Sequence, residues 1–261
     1  MHFFKTLDLE LKRARDAFDV DGYIRARKQR NSLGAFDRYR LRLTGELLRN
    51  LVVGSVLDIG ANIGAMVKHY QQYNTKITLC DLDHFVLTAA RKNYPELKFT
   101  CANLKSLPFK NNSFNTVVSL ETIEHLTLSQ QEEAINELIR VAKPGAILCV
   151  STPNRFSLPG IEGSFIQWFV KGYKWDAWDN DHKYIYSARD FEIFLKRFQK
   201  KLLLKKFYGS YYLPGSLLVR LPVCLQRSLG MASYLVSRYL GNLFPFRYIG
   251  FTAIAVLKKK S

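Results

Sequence analysis

The strongest constraint in this chain is a repeated change of hydrophobic period between residues 55 and 153. The apolar runs "SVLDIG" (55–60), "KITLCD" (76–81), "LKFTCA" (97–102), "FNTVVSL" (114–120) and "AILCVSTP" (146–153) have the length of strands. Between them lie the helical stretches "AMVKHYQQY", "HFVLTAARKNY" and "QQEEAINELIRVA", the last stopped by Lys143-Pro144-Gly145. Strands alternating with helices predict an α/β fold with a parallel sheet covered on both faces. A helix, "SARDFEIFLKRF", and two more strand-like segments, "KLLLKKFYGS" and "YIGFTAIAVLKK", follow. The 261 residues suit one full core with elaborations.

Around that core the chain divides into an Arg-rich helical extension, 1–50, and the alternating domain, 51–261. Within the domain, 155–185 reads as an aromatic lid with Phe156, Phe165, Trp168, Phe169, Tyr173, Trp175 and Trp178. Residues 214–245 read as an apolar and basic helical insert before the last strand. No run of eighteen uncharged apolar residues exists, which argues against a spanning helix. The start, "MHFFKTLDLELKRAR", lacks the apolar core of a secretory signal, so a cytoplasmic protein is expected. Cys80, Cys101, Cys149 and Cys224 show no paired spacing for zinc or redox work and read as reduced residues in buried strands.

The net charge of +17 is segregated. Residues 51–190 are neutral, whereas 191–261 carry 13 basic side chains and a single acid, Glu192. Such segregation points to a surface that faces anions.

In open α/β sheets ligands bind beyond the carboxyl ends of the strands, which is where "VLDIGANIGA" (56–65) falls. Gly60 and Gly64 permit a tight turn and a close backbone approach to a ligand. A dinucleotide fingerprint starting at Gly60 fails at Asn62 and Ala65, and a triphosphate loop fails for want of Gly-Lys-Ser/Thr. The remaining pattern is Asp-x-Gly-x-Gly-x-Gly, met at Asp58, Gly60 and Gly64. Asn62 departs from it but accepts a positive φ more readily than most residues. Further motifs follow in order: Asp81 ends the second strand, then come "ANLKSLPFKNNSFNTVVS" (102–119) and "RVAKPGAILCVSTPN" (140–154).

Over roughly residues 51–258 these motifs together resemble the class I S-adenosylmethionine-dependent methyltransferases, in particular those of type 11. The resemblance implies a Rossmann-like seven-stranded sheet of order 3-2-1-4-5-7-6 with the last strand antiparallel. It implies S-adenosyl-L-methionine as cofactor, held by Asp58, Gly60, Asn62, Gly64, Asp81 and Asn103. Asp81 would take the ribose hydroxyls. Asn103 would stand where an Asp commonly meets the adenine amino group, as a neutral and weaker acceptor.

Just past the fourth strand, "SLETIEHL" (119–126) places two carboxylates and an imidazole within five residues. If helical, it sets Glu121, Glu124 and His125 on one face. The Glu-x-x-Glu-His pattern resembles that of two groups that hold a divalent ion, the O-methyltransferases of ubiquinone synthesis and the small-RNA 3′-terminal 2′-O-methyltransferases. The second group adds a histidine in an Asp-His-Lys segment, matched here by Asp181-His182-Lys183. Three readings stand side by side. Glu121, Glu124, His125 and His182 hold Mg²⁺ or Mn²⁺ with open positions for substrate oxygens. His125 is a general base without metal. Or the cluster is a polar helix start.

The implied activity is methyl transfer, expected to a hydroxyl of a small, lipid-linked or quinone-like molecule. An RNA 2′-O-methyltransferase is the alternative, and a non-catalytic lipid-binding or scaffold protein is a third. In "PVCLQRSLGMASYLVSRYLGNL" (222–243) Arg227, Tyr234 and Arg238 share one helical direction, with Leu225, Leu229, Val236 and Leu240 opposite. That apolar face either docks on anionic membrane, helped by Lys200, Lys201, Lys205 and Lys206, or covers the sheet.

Overall fold

A computed structural model describes residues 10, 12–17, 19–33, 35–71, 75–158, 160, 161, 165, 168, 181–213 and 221–261. The elements run α1 (Val20–Leu33), α2 (Ala35–Leu48), β1 (Ser55–Ile59), α3 (Val67–Tyr70), β2 (Lys76–Asp81), α4 (His84–Asn93), β3 (Lys98–Cys101) and β4 (Phe114–Leu120). Then come a 3₁₀ turn (Ile123–His125), α5 (Leu128–Val141), β5 (Ala142–Pro153), α6 (Ala188–Lys196), β6 (Leu202–Ser210), α7 (Val223–Leu240), α8 (Phe246–Ile249) and β7 (Thr252–Lys259).

The strands form one sheet of order β3-β2-β1-β4-β5-β7-β6. β1 to β5 pair in parallel, and β7 runs antiparallel to both β5 and β6. The order is the one that the family resemblance implied. Side chains alternate across it, as strand geometry requires. Leu57, Ile59, Val117, Leu148 and Val150 face α5 and α6 in one core, while Val56, Val118, Cys149, Ile254 and Val256 face α2, α4 and α7 in the other. Both faces are thus buried, which is why the strands read as apolar runs.

α5 is the most clearly written helix. Its apolar positions Ala134, Ile135, Leu138, Ile139 and Val141 are buried, and Thr127 and Gln130 form a capping box at its start. Its last turn meets the C-terminal strand: Lys259 Nζ donates to Ile139 O and Ala142 O at 2.8 Å each. At the exit of β5, Asn154 is fully buried and pairs on every side. Its Nδ2 donates to Tyr248 O and Gly250 O at 2.8 Å each, and its Oδ1 accepts from Ala188 N at 2.9 Å. One amide thereby ties together β5, the approach to β7 and the first turn of α6.

Several expectations need correction. Lys143-Pro144-Gly145 does not separate α5 from β5. The strand begins at Ala142, opposite Phe114, and the bulge before Thr116 accommodates Gly145 at φ +78°. The helix after β1 is a single turn, with Gln72 and Tyr73 outside the described residues. All four cysteines are free, but only Cys80 and Cys149 are buried in strands; Cys101 and Cys224 are exposed. Of the aromatic segment, Phe156, Phe165 and Trp168 are more than half exposed, while Phe169, Tyr173, Trp175 and Trp178 lie outside the described residues, as do 214–220 of the insert.

Candidate cofactor and metal site

The loop after β1 turns through left-handed backbone at Gly60 (φ +69°), Asn62 (φ +48°) and Gly64 (φ +80°). Asn62 does adopt the positive φ that its residue type tolerates. Gly60 N and Ala61 N donate to Cys80 O at 2.9 and 3.1 Å, and Asn62 N donates to Asp81 Oδ2 at 3.0 Å, so the loop is fastened to the end of β2. A Cβ at Gly60 would meet Thr122 Oγ1 at 2.2 Å, and one at Gly64 would meet the Tyr94 ring at 2.9 Å. The glycines are therefore required by the turn and by neighbouring side chains.

A cavity of about 680 Å³ opens over this loop, within the size range of small-molecule sites. Asp58, Gly60, Asn62, Asp81, Asn103, Glu121 and His125 all line it. Gly64 is not among the lining residues and acts through the turn. The carboxyl of Asp58 is buried, and burial pushes it up to about 7; Tyr70, whose hydroxyl donates to Asp58 Oδ2 at 3.3 Å, works against that rise, and Asp81 adds to it. Asp81 is also raised, by burial first, although it accepts from Asp83 N as well as Asn62 N. Each of its oxygens keeps a lone pair for a ligand hydroxyl. Asn103 Oδ1 already accepts from Lys105 N at 3.0 Å, which fixes the amide at the cavity wall.

The N-terminal helices complete this site, which charge counting alone did not reveal. Arg15, Tyr23, Arg40 and Leu41 line the same cavity. Arg15 pairs with Asp83 at 2.6 Å, Lys92 with Asp21 at 2.6 Å, and the Tyr23 ring packs edge-on against Phe85. The signal was present in the buried spacing of Ala14, Tyr23, Ile24 and Ala26, which pack on Ile63, Val86 and Ala89. The Arg-rich composition masked it.

"SLETIEHL" is not one helix. β4 ends at Leu120, Glu121 turns the chain at φ +51°, and only Ile123–His125 form a 3₁₀ turn. Glu121 and Glu124 therefore do not share a helical face. Glu121 is held sideways: its N donates to Ser151, whose Oγ donates back to Glu121 Oε1 at 2.7 Å. The group that converges is Glu124, His125 and His182, with one ligand-type atom from each lying within 4.8 Å of the others. His182 arrives because Lys183 N and Tyr184 N both donate to Glu124 O, at 2.8 and 3.2 Å. The His125 and His182 rings stand edge-on with centroids 4.8 Å apart. The structure thus assembles three of the four residues that sequence pattern grouped as ligands and sets Glu121 beside them.

Glu124 is 1% exposed, and no other described residue donates a hydrogen bond to either carboxyl oxygen. His182 Nε2 stands 4.0 Å from Glu124 Oε1, beyond hydrogen-bond reach. Burial first, and the charge of Glu121 second, push the Glu124 carboxyl well above the ordinary range, while Arg40 opposes them. A buried carboxylate without donors is costly. A cation held by Glu124, His125 and His182 would relieve it, so these residues fit a divalent ion of the borderline class.

Comparison with known proteins agrees with the fold and the loop. The methyltransferase-domain family matches residues 57–150. A Mycolicibacterium smegmatis protein named "Probable S-adenosylmethionine-dependent methyltransferase" is 32% identical over 106 residues, 40% of each chain. A demethylmenaquinone methyltransferase of Paenarthrobacter aurescens is 26% identical over 120 residues, 46% of each chain. The matched stretch thus spans less than half the length of these curated relatives. An S-adenosylmethionine-dependent methyltransferase of Thermotoga maritima superposes with a TM-score of 0.59 at 16% identity, covering 92% of this chain and 97% of that one. In its seven-stranded order and fastened glycine loop the chain has the fold of solved S-adenosylmethionine-dependent methyltransferases, and its residues 57–150 are similar to the methyltransferase-domain family.

Proposed function

We propose that the protein transfers the sulfonium methyl of S-adenosyl-L-methionine to a hydroxyl oxygen of a small, quinone-like or lipid-linked acceptor, with a divalent cation held by Glu124, His125 and His182. The observation that supports the metal assignment is the Glu124 carboxyl, buried with no other described residue donating a hydrogen bond to its oxygens and grouped with two imidazoles. The similarity to a demethylmenaquinone methyltransferase supports the quinone-like class.

The residues divide the work. Asp81 would receive the ribose hydroxyls, and the Gly60–Gly64 turn would seat the cofactor beneath them. Asp81 brings a carboxyl group to the cavity wall, where its ionised form would attract a cationic cofactor. The acceptor hydroxyl releases its proton to water, and its oxygen forms the new bond to the methyl carbon as the carbon–sulfur bond breaks, the electron pair going to sulfur. A bound divalent cation would lower the pKa of the acceptor hydroxyl and fix its direction. Enclosure by the N-terminal helices and by residues 181–183 would exclude water, and most of the acceleration would come from orientation.

The test is transfer of labelled methyl from S-adenosylmethionine into separate quinone/lipid, small-molecule and RNA fractions, with the product linkage identified by mass spectrometry. The account expects an O-methyl product outside the RNA fraction. Label confined to RNA would replace this reading with ribose methylation, and no label in any fraction would leave a non-catalytic role.

A further inference from the structure

α7 is built with its polarity reversed. Its inward side carries Gly230, Ser233, Tyr234 and Ser237, all buried. Ser237 Oγ accepts from Tyr211 N at 3.1 Å and Ser233 Oγ from Tyr212 N at 3.0 Å. The Tyr234 hydroxyl donates to Glu46 on α2, and Arg238 Nη1 lies 3.5 Å from the same carboxylate. The apolar residues point away from the protein: Leu225, Leu229, Met231, Leu235 and Tyr239 are 36–67% exposed. Just past the helix Leu243 and Phe244 continue the patch, at 52% and 81% exposed. Of the apolar face expected to cover the sheet, Leu225 and Leu229 are exposed and Val236 and Leu240 half-buried, and small and hydroxyl-bearing side chains do most of the covering.

We propose that the outer face of α7 is a docking surface for an anionic lipid bilayer. Charge complementarity argues for that occupant. Arg227 and Arg238 border the apolar stripe along one edge, next to Met231, and both are exposed, Arg238 also reaching Glu46. Lys206 and Lys258 lie on the same side of the sheet: Lys206 is opposite Val256, and Lys258 is two residues on from it, and Val256 shares a core with Tyr234. The only acid after residue 190 is Glu192, which is paired with Lys196 and Arg247. Glu46 is likewise paired with Arg42 and Arg238. No helix of the described residues is long and apolar enough to cross a membrane, so α7 would lie in the interface with its apolar face among the headgroups. Tyr39 donates to Arg227 O at the start of α7, and the next residues of α2, Arg40 and Leu41, line the cavity. Docking would therefore hold the cavity close to the lipid surface. The inference stands apart from the methyl acceptor and is tested without activity.

The experiment is flotation of the full chain with pure phosphatidylglycerol vesicles and with pure phosphatidylcholine vesicles, at low and high salt. Wild type is expected to float with phosphatidylglycerol, less at high salt, and weakly with phosphatidylcholine. The double variant Leu225→Glu with Leu235→Glu alters exposed positions and should keep the wild-type thermal midpoint. Its flotation should fall at least tenfold. Failure of wild type to float, or undiminished flotation of the folded double variant, overturns the proposal. So does a stable wild-type dimer that the double variant converts to monomer, which would make the face an interface between two copies.

Discussion

At residue scale, Asp58 couples the cofactor loop to pH. Its carboxyl is pushed up to about 7 in the folded chain, so the folded state keeps a proton that the unfolded state releases near the ordinary carboxyl range. Stability from this group is therefore present at acid pH and is lost as pH rises from the unfolded value toward about 7, by at most on the order of 4 kcal/mol. Asp58→Asn should flatten that slope. Thermal midpoints at about pH 5 and about pH 8 would check it, and a variant with the wild-type slope would assign the dependence to other groups. Asn154 gives the complementary case, in which polar burial is fully compensated. Asn154→Ala leaves Tyr248 O, Gly250 O and Ala188 N without the amide. It should cost about 3 kcal/mol or more in denaturant unfolding, whereas a loss under about 1 kcal/mol would show that water replaces the amide.

At element scale, the glycine loop is a turn wedged between its neighbours. Gly60→Ala adds left-handed strain and drives a methyl group into Thr122. A stability loss of about 2 kcal/mol is expected, with S-adenosylmethionine affinity down at least about tenfold by titration calorimetry. Thr122→Ala in the same chain should recover part of the stability but not all, because the φ strain remains. The strands and the cofactor loop were legible in the sequence because strands buried on both faces read as apolar runs and because left-handed turns demand Gly or Asn, whereas the strand order came only from the family resemblance. The element carrying the metal cluster was not. Spacing in "SLETIEHL" fits a helix, but the strand runs to Leu120 and Glu121 takes a left-handed turn held by Ser151, thirty residues away. α7 was legible as amphipathic but not as inverted. Its orientation is decided by Glu46 and by the backbone of Tyr211 and Tyr212, contacts that no local pattern encodes.

At the scale of the whole molecule, the chain assembles its site from segments far apart in sequence. The N-terminal helices close one wall of the cavity, the ends of β1, β2 and β4 supply its floor, and residues 181–183 reach back to the 3₁₀ turn through Glu124 O. Most of the excess positive charge lies elsewhere, although Arg15, Arg40, Lys105 and Lys183 line the cavity. It gathers after residue 190, where the neutral core gives way to basic strands and the reversed helix. The cavity thus keeps the carboxyl groups of Asp58, Asp81, Asp83, Glu121 and Asp181 in its lining, inside a strongly basic protein, while Glu124 is buried next to His125 outside that lining. Such an interior suits a cationic cofactor and a divalent ion together. The most direct measurement is labelled methyl transfer to hydroxyl-bearing quinone and lipid acceptors, before and after exhaustive chelation and after return of Mg²⁺ or Mn²⁺, for wild type and Glu124→Gln. Chelation should lower wild-type transfer at least about a hundredfold, and the returned ion should restore it in wild type but not in Glu124→Gln. Undiminished transfer by chelated wild type, or full transfer by Glu124→Gln, would contradict the account.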